Sequence, residues 1–214
     1  MKTLTHEEKF RGEDLLKKMA ACPIVMCGCG AIGSNLVDNM VRQGFGNIKV
    51  VDFDRIEDHN RHTQIWTKRD LGQLKAMVLK NAMYNVREVV LEVETKKLDS
   101  SNISKVLPPA LSKTLVIDGF DNQDSRALVM DWCLRHKIDC LHVGLSKDYA
   151  EVVWNEQYRV PRDVGADICE YPLARNIILL ATTVATEVVV RYLAKGIKKN
   201  YEISLGDFQI LERI

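Results

Sequence analysis

The 214-residue sequence has little excess charge of either sign, because 30 lysines and arginines balance 29 aspartates and glutamates to give a net charge of +1. Proteins that bind nucleic acid or a membrane surface by electrostatics carry a basic excess, so we expect neither partner. Hydrophobic residues make up 46% of the chain and charged residues 28%. These values are typical of globular proteins and exclude disorder along the whole chain.

The sequence also lacks a secretion signal and a long apolar run. The first 16 residues carry charges throughout and contain no apolar core of the kind that a secretion signal needs. The most apolar stretch, residues 176–186, lies between Arg175 and Glu187. It is shorter than the roughly 20 residues that span a bilayer. We therefore expect a cytoplasmic protein without a transmembrane segment.

Paired metal or redox motifs are missing as well. None of the six cysteines forms a CxxC pair, so neither a zinc site of that type nor a redox dithiol is predicted. We expect reduced thiols, most of them buried as small apolar side chains. The histidines His59, His62, His136 and His142 show no metal-ligand spacing, and we interpret each as a solvated or core residue.

Apolar strands alternate with helical patterns along most of the chain. Strands are predicted over residues 22–27, 48–53, 89–93, 114–117 and 139–143, and helices over residues 31–43, 72–85 and 123–136. Buried strands separated by helices predict a parallel sheet with right-handed crossovers. The expected fold class is therefore α/β, with a mostly parallel sheet, helices on both faces and one domain over residues 1–214.

The last third of the chain has a different pattern. Residues 150–154 predict an antiparallel strand, and a loop follows over residues 155–170. Pro172 begins the longest predicted helix, which runs to about Lys195 and is apolar on nearly all sides, so that burial is expected.

Two further strands are predicted at the C-terminal end, over residues 201–205 and 208–211. The residues between them, Gly206 and Asp207, suit a type II′ hairpin turn because glycine comes first. The sheet is therefore expected to end in an antiparallel extension.

A glycine motif follows the first predicted strand. Gly28, Gly30 and Gly33 form G-x-G-x-x-G between that strand and a helix. Such glycines permit a tight turn and let the backbone approach a phosphate at the helix N-terminus. Asp52 ends the next strand, where a carboxylate can bind a ribose hydroxyl. The pattern predicts nucleotide binding rather than a packing turn, and it leaves NAD, FAD and ATP open.

An unusually polar stretch follows that strand. Residues 52–60 contain four carboxylates, and Gln64 and residues 70–76 come after them. Taken alone, this stretch predicts a solvated loop, followed by a helix whose N-terminus Asp70 caps.

The order of these motifs resembles the ThiF/MoeB/HesA superfamily of adenylyltransferases, which are related to ubiquitin-activating enzymes. Its pattern is GxGxxG, DxDxVExxNxxRQ, GxxKA and DxxDNxxxR, and it is matched here by residues 28–33, 52–64, 72–76 and 118–126. The resemblance covers about residues 20–140. It implies a Rossmann-like fold and a homodimer that uses ATP to adenylylate the C-terminal glycine carboxylate of a small ubiquitin-like or sulfur-carrier protein.

The resemblance also implies roles for matched residues. Asp121 would hold Mg²⁺, Lys75 would contact the ATP phosphates and Asp52 would bind the ribose. Asn60 and Gln64 would order the loop over the nucleotide. The remaining matched nucleotide-binding candidates are Asp54, Asn122 and Arg126.

Two of these assignments have structural alternatives. Asp121 is also placed to cap the helix that begins near Gln123. Arg126 is placed either to face the ligand or to pair with Asp121.

One position departs from the family pattern. Thr63 stands where the resemblance places an arginine that contacts the ATP phosphates. Arg61, Arg69 and Arg11 are the candidates to replace it. Arg11 is included because an arginine near the N-terminus reaches the active site of the partner subunit in related dimers. If none of them does so, activation is expected to be slow or absent.

A cysteine is the remaining catalytic candidate. Cys169 lies in the loop before Pro172, where some relatives carry a thiol that accepts the activated carboxyl group. A thiol near a helix N-terminus has its thiolate favoured. The alternative is a buried loop cysteine that anchors Tyr171. Nearby, Trp154 and Tyr158 are interpreted as packing residues.

Two other functions remain as alternatives to adenylylation. A catalytically quiet relative would bind nucleotide and act as a scaffold, which Thr63 favours. An NAD-dependent oxidoreductase would explain the glycines and Asp52, but it leaves Asn60, Lys75 and residues 118–126 without a role.

Overall fold

The computed structural model describes residues 3–107, 113–161 and 172–213. Eight strands form one sheet in these residues: β1 (Ile24–Cys27), β2 (Ile48–Val51), β3 (Glu92–Glu94), β4 (Leu115–Asp118), β5 (Cys140–Ser146), β6 (Tyr149–Trp154), β7 (Asn200–Ser204) and β8 (Gln209–Arg213). Their order is β3-β2-β1-β4-β5-β6-β7-β8. Strands β1 to β5 are parallel, and β6 to β8 continue the sheet with antiparallel pairing. The predicted sheet and its antiparallel extension are confirmed.

Helices cover both faces of this sheet. They are α1 (Thr5–Arg11), α2 (Glu13–Ala21), α3 (Ala31–Gln43), α4 (Lys75–Arg87), α5 (Ile103–Val106), α6 (Gln123–His136) and α7 (Arg175–Lys195). One apolar core contains Leu36 of α3, Leu79 of α4 and Ile178 of α7. A second core on the other face contains Val129 and Cys133 of α6. The mixed α/β class with helices on both faces is therefore confirmed.

Two helices begin three residues later than the sequence predicts. Helix α4 begins at Lys75 because the preceding residues pair with residues 52–64, called the acidic loop. The Gly72 amide donates to the Ile56 carbonyl at 2.8 Å, and the Ile56 amide donates to the Gln73 carbonyl at 2.9 Å. Helix α7 begins at Arg175 because Leu173 forms a β-bridge instead. Local pairing outweighs helix propensity at both starts.

Helix α7 is less enclosed than predicted. Among the described residues, it is the helix that is long and apolar enough to cross a membrane by length and composition, and half of its most apolar stretch is buried. Apolar residues continue past Glu187, so the apolar stretch is longer than the predicted residues 176–186. It packs on α3 and on strands β5 to β7. Leu179 is 41% exposed, so the prediction of burial on nearly all sides is wrong for one face.

The predicted type II′ turn is wrong. Ser204 pairs with Gln209, which leaves a four-residue loop between β7 and β8. A type II′ turn needs a positive φ at Gly206, whereas the loop residue with a positive φ is Phe208 (φ 56°). The Leu205 amide donates to the Asp148 carbonyl at 2.7 Å, so this contact with the β5–β6 turn shapes the loop.

Candidate active site

Three loops meet at the carboxyl ends of the central strands. In the parallel register, Cys27 at the end of β1 lies opposite Val51 of β2 on one side and Asp118 of β4 on the other. Strands β2 and β3 lie on one side of β1, and β4 and β5 lie on the other, so the strand order reverses here. This is the topological switch point at which open α/β sheets bind ligands. The sheet thereby brings together three loops: residues 28–33, called the glycine loop, the acidic loop, and the loop that carries Asp121.

The glycine loop has two structural glycines and one open one. Gly28 has a φ of 91°, and a Cβ there would lie 3.1 Å from the Gly119 carbonyl oxygen. A Cβ on Gly33 would lie 2.0 Å from the Gly28 carbonyl oxygen, so glycine is required where α3 crosses the loop. A Cβ on Gly30 would meet nothing within 4 Å. The backbone at Gly30 is therefore open to a ligand at the N-terminus of α3, as phosphate binding requires.

Asp52 connects this loop to β2. Its Oδ2 accepts a hydrogen bond from the Cys29 amide at 2.6 Å, and its Oδ1 accepts one from the Asp54 amide at 2.8 Å. Burial raises the pKa of Asp52 to about 6, while the charge of Lys75 and the two amide bonds oppose that rise. The carboxylate therefore has a structural role in addition to its predicted contact with ribose.

Lys75 is held close to Asp52 by the acidic loop. Its Nζ lies 3.1 Å from Asp54 Oδ2, and its amide donates to the Asp54 carbonyl at 2.9 Å. The Lys75 side chain is only 9% exposed, whereas that of Asp54 is 48% exposed. The ammonium group is therefore placed near the carboxyl end of β2 by a carboxylate that solvent or a ligand can reach.

Asn60 and Gln64 each form a hydrogen bond with a residue close to them in the chain. Both are buried. Asn60 Oδ1 accepts from the Glu57 amide at 2.9 Å, and Gln64 Oε1 accepts from Trp66 Nε1 at 2.5 Å. This geometry fits a role in shaping the loop.

The structure separates the roles of Asp121 and Asn122. Asn122 Oδ1 accepts from the Ser125 amide at 2.9 Å and so caps α6. The alternative in which Asp121 caps this helix is therefore wrong. Asp121 is exposed and accepts a long hydrogen bond from Asn122 Nδ2 at 3.4 Å. Mg²⁺ uses one or two protein carboxylates together with substrate phosphates, and the exposed Asp121 fits that role.

Arg126 makes its contacts inside the protein. It is buried, and its guanidinium donates to Tyr158 Oη at 2.8 Å and to the Val143 carbonyl at 3.4 Å. Burial lowers its pKa, but Asp118 and Tyr158 outweigh this and the pKa is raised. The alternative in which Arg126 pairs with Asp121 is wrong, because its guanidinium contacts Tyr158 and Val143 instead. A contact between Arg126 and the ligand stays a prediction.

A buried polar network lies behind the Asp121 loop. His142 contacts Asp118 Oδ2 through Nδ1 at 2.8 Å and Asn155 Oδ1 through Nε2 at 2.6 Å. Its ring stacks on Tyr158 with centroids 3.7 Å apart. Asp118 also accepts from the Phe120 amide at 3.1 Å, which fixes the start of the loop. Core roles for His142 and Tyr158 are confirmed, and no sequence signal pointed to Asn155.

Two candidate phosphate ligands are engaged within the chain. Arg11 pairs with Glu7 and Glu187, and its side chain is 8% exposed. These contacts tie α1 to α7, so Arg11 does not extend towards a partner as the sequence suggested. Arg61 pairs with Asp58 at 2.6 Å.

The other two candidates are less constrained by the structure. Arg69 is exposed on the turn Lys68–Asp70. Cys169 and Tyr171 lie outside the described residues. The described cysteines are all buried, as predicted: Cys22, Cys27, Cys29, Cys133 and Cys140. No group of three or more His, Cys, Asp or Glu side chains in the described part of the chain is arranged to hold a metal ion.

Comparison with known families gives a match over most of the chain. The model of the ThiF family matches residues 5–194. A sulfur carrier protein adenylyltransferase of Thermus thermophilus is 33% identical over 122 residues, which are 56% of this chain and 43% of that protein. The tRNA threonylcarbamoyladenosine dehydratase 2 of Saccharomyces cerevisiae is 27% identical over 203 residues, which are 92% of this chain and 40% of that protein. The chain thus spans less than half the length of either relative.

Solved structures of similar shape agree with this match. E. coli MccB with ATP superposes with a TM-score of 0.80 at 17% identity, covering 97% of this chain and 68% of MccB. E. coli MccB with AMPCPP and MccA superposes with a TM-score of 0.75 at 20% identity, covering 93% of this chain and 65% of MccB. At these identities the likeness shows the fold alone.

Proposed function

Because the chain belongs to the ThiF family, and its relatives include a sulfur carrier protein adenylyltransferase and a SUMO-activating enzyme subunit, we propose that it adenylylates the C-terminal glycine carboxylate of a small carrier protein with ATP. The observation that carries the proposal is the convergence, at one sheet edge, of an open glycine backbone, a held ammonium group and a free carboxylate. These belong to Gly30, Lys75 and Asp121.

The proposed reaction is an in-line displacement. The acceptor carboxylate oxygen forms a bond to the α-phosphorus of ATP, the bond to the bridging oxygen breaks, and pyrophosphate leaves with the electron pair. Such a transfer depends on positioning and on neutralisation of phosphate charge. Amides at the N-terminus of α3 bind phosphate oxygens, and Lys75 moves its ammonium from Asp54 to them. Asp52 accepts from a ribose hydroxyl.

We also propose that Asp121 holds Mg²⁺. When bound, Mg²⁺ neutralises charge on the phosphates. Asp121 is suited to this because Asn122 performs the capping of α6, so that the Asp121 carboxylate is left for a cation. One protein carboxylate is sufficient where substrate phosphates complete the coordination.

A homodimer and a single domain over residues 1–214 complete this proposal. Both follow from the resemblance to the family. Light scattering at micromolar concentration should give twice the chain mass of 24.3 kDa. A monomer of 24.3 kDa under these conditions would contradict the dimer.

A second acceptor class has one observation in its favour. The match to the tRNA threonylcarbamoyladenosine dehydratase runs along 92% of this chain, further than the match to the sulfur carrier enzyme. The acceptor would then be a modified nucleoside of tRNA. The net charge of +1 favours the protein acceptor, since tRNA binding is usually accompanied by a basic surface.

The test is ATP–pyrophosphate exchange with the full chain, Mg²⁺ and a synthetic peptide that ends in Gly-Gly. Exchange should need the peptide's free carboxylate, so the C-terminally amidated peptide is the matched control. Asp121→Asn should abolish exchange. Magnesium-dependent binding of ATP without exchange would favour the catalytically quiet scaffold, and exchange that persists in Asp121→Asn would refute the metal assignment.

A further inference from the structure

An open cavity that contains three arginines lies between α3, α4, the acidic loop and the start of α7. It has a volume of about 560 Å³ and is lined by Arg42 of α3, Arg61 of the acidic loop, Arg175 of α7 and Gln64, among others. Three arginines around one open cavity predict attraction for an anion, unless carboxylates of the protein already neutralise them.

Two of the three arginines are neutralised. Arg42 Nε lies 2.9 Å from Asp38 Oδ2, and Arg61 Nη2 lies 2.6 Å from Asp58 Oδ1. Both pairs connect residues three or four apart within one segment, so the partners are held together by local geometry.

The third arginine makes only weak contacts to neutral groups. Arg175 donates to the His62 carbonyl at 3.3 Å and to Asn35 Oδ1 at 3.5 Å. It forms no ion pair with a carboxylate in the described ranges of the chain. Arg175 is the first residue of α7 and is exposed. Its guanidinium is therefore available to bind an anionic ligand in the cavity.

Asn35 links this guanidinium to the proposed phosphate site. Its Nδ2 donates to the Ala31 carbonyl at 2.7 Å and to the Thr63 carbonyl at 2.8 Å. Ala31 is the first residue of α3 and directly follows Gly30, whose backbone is open. The guanidinium of Arg175 thus lies one side chain away from the first turn of α3.

We propose that Arg175 binds the β- and γ-phosphates of ATP, an inference that rests on the proposed function. A triphosphate at Gly30 carries more charge than Lys75 can neutralise. A guanidinium forms paired, charge-assisted hydrogen bonds to phosphate oxygens. Because the contacts of Arg175 with His62 and Asn35 are long, exchanging them for phosphate contacts costs little.

Arg175 would then act in place of the arginine that Thr63 replaces. Arg11 and Arg61 have carboxylate partners, which phosphate would have to displace. Arg175 has none in the described residues and approaches the same segment from α7, through the carbonyl of His62.

Isothermal titration of the full chain with ATP plus Mg²⁺, and separately with AMP, tests the assignment. AMP lacks the β- and γ-phosphates, so it reports the rest of the site. In Arg175→Gln the affinity for ATP should fall by about 10- to 100-fold, the range expected for charge-assisted hydrogen bonds. The affinity for AMP should stay within about twofold. Arg175→Lys should recover part of the loss.

The matched control is Arg42→Gln, which removes a guanidinium of the same cavity that Asp38 already neutralises. It should leave both affinities unchanged. An equal loss for ATP and AMP in Arg175→Gln would show a structural role and overturn the proposal, as would an unchanged ATP affinity. Loss of ATP affinity in Arg69→Gln, with Arg175→Gln unchanged, would assign the phosphates to Arg69. If the wild-type chain binds neither nucleotide, the proposed function fails before this assignment is reached.

Discussion

The carboxylate of Asp52 accepts a hydrogen bond from the backbone amide of Cys29 at 2.6 Å, within the glycine loop. The residue predicted to bind ribose therefore also fixes the loop predicted to bind phosphate. A nucleotide that contacts both features meets a single connected unit, in which the Asp52 carboxylate is already buried and oriented.

The stability of this unit should depend on pH. Burial raises the pKa of Asp52 to about 6 in the folded protein, above the value of about 3.9 for an unfolded chain. Its contribution to stability is therefore complete below about pH 4 and is lost as pH rises through 6, with a cost of at most about 3 kcal/mol. Relative to Asp52→Asn, the wild-type Tm should rise by several degrees between pH 7.5 and pH 5. A Tm difference that does not change with pH would contradict this.

Gly33 and Gly30 form a matched pair for testing the glycine loop. Gly33→Ala places a Cβ 2.0 Å from a backbone carbonyl and should lower the free energy of unfolding by about 2 kcal/mol or more. Gly30→Ala meets no atom within 4 Å and should leave the Tm nearly unchanged. It should nevertheless weaken ATP binding several-fold, because the methyl group occupies the path of the phosphate. Chemical denaturation and ATP titration separate the two effects, and equal ATP affinities in Gly30→Ala and wild type would refute the phosphate path.

Asp121 and Asn122 form a second pair. Asn122→Ala removes the cap of α6 and should cost about 1 kcal/mol of stability, with or without Mg²⁺. Asp121→Asn should leave the Tm of the nucleotide-free protein unchanged, but it should abolish the extra stabilisation that Mg²⁺ adds to ATP. Thermal unfolding in Mg²⁺ and in EDTA measures both. A large loss of stability in nucleotide-free Asp121→Asn would show that this carboxylate has a structural role.

The buried pair of Asp118 and His142 should be costly to break. His142→Phe keeps a ring against Tyr158 but leaves the Asp118 carboxylate without its partner, at an expected cost of about 3 kcal/mol. The exposed His59→Gln should change stability by less than about 0.5 kcal/mol. Equal urea midpoints for the two variants would mean that the network contributes nothing to stability.

The sequence predicted the features whose causes are local. Gly28, Gly33 and Asp52 were found because a tight strand–helix connection and a strand end restrict the residue types allowed there. The alternation of apolar strands and helices was sufficient to predict a mostly parallel sheet. For His142 the sequence left a solvated role and a core role open.

The sequence could not predict contacts between residues that are distant along the chain. Arg11 meets Glu187, 176 positions away, and Arg126 meets Tyr158 across the sheet edge. Neither partner lies near its arginine in the sequence, so no local pattern indicates these pairs. Helix starts were displaced for the same reason, since Leu173 pairs with Lys147 from another element. Helices α1 and α2 were not predicted, and Met19 is the one residue of the two that is buried.

If the proposed function is correct, this site binds ATP together with Mg²⁺. The most direct test is thermal unfolding of the full chain with ATP plus Mg²⁺, with ATP plus EDTA, and with NAD. A ligand at 100 times its Kd adds about 2.7 kcal/mol, or several degrees for a chain of this size. We predict a rise in Tm with ATP that needs Mg²⁺ and no rise with NAD. Stabilisation by NAD alone would contradict the claim and favour an oxidoreductase.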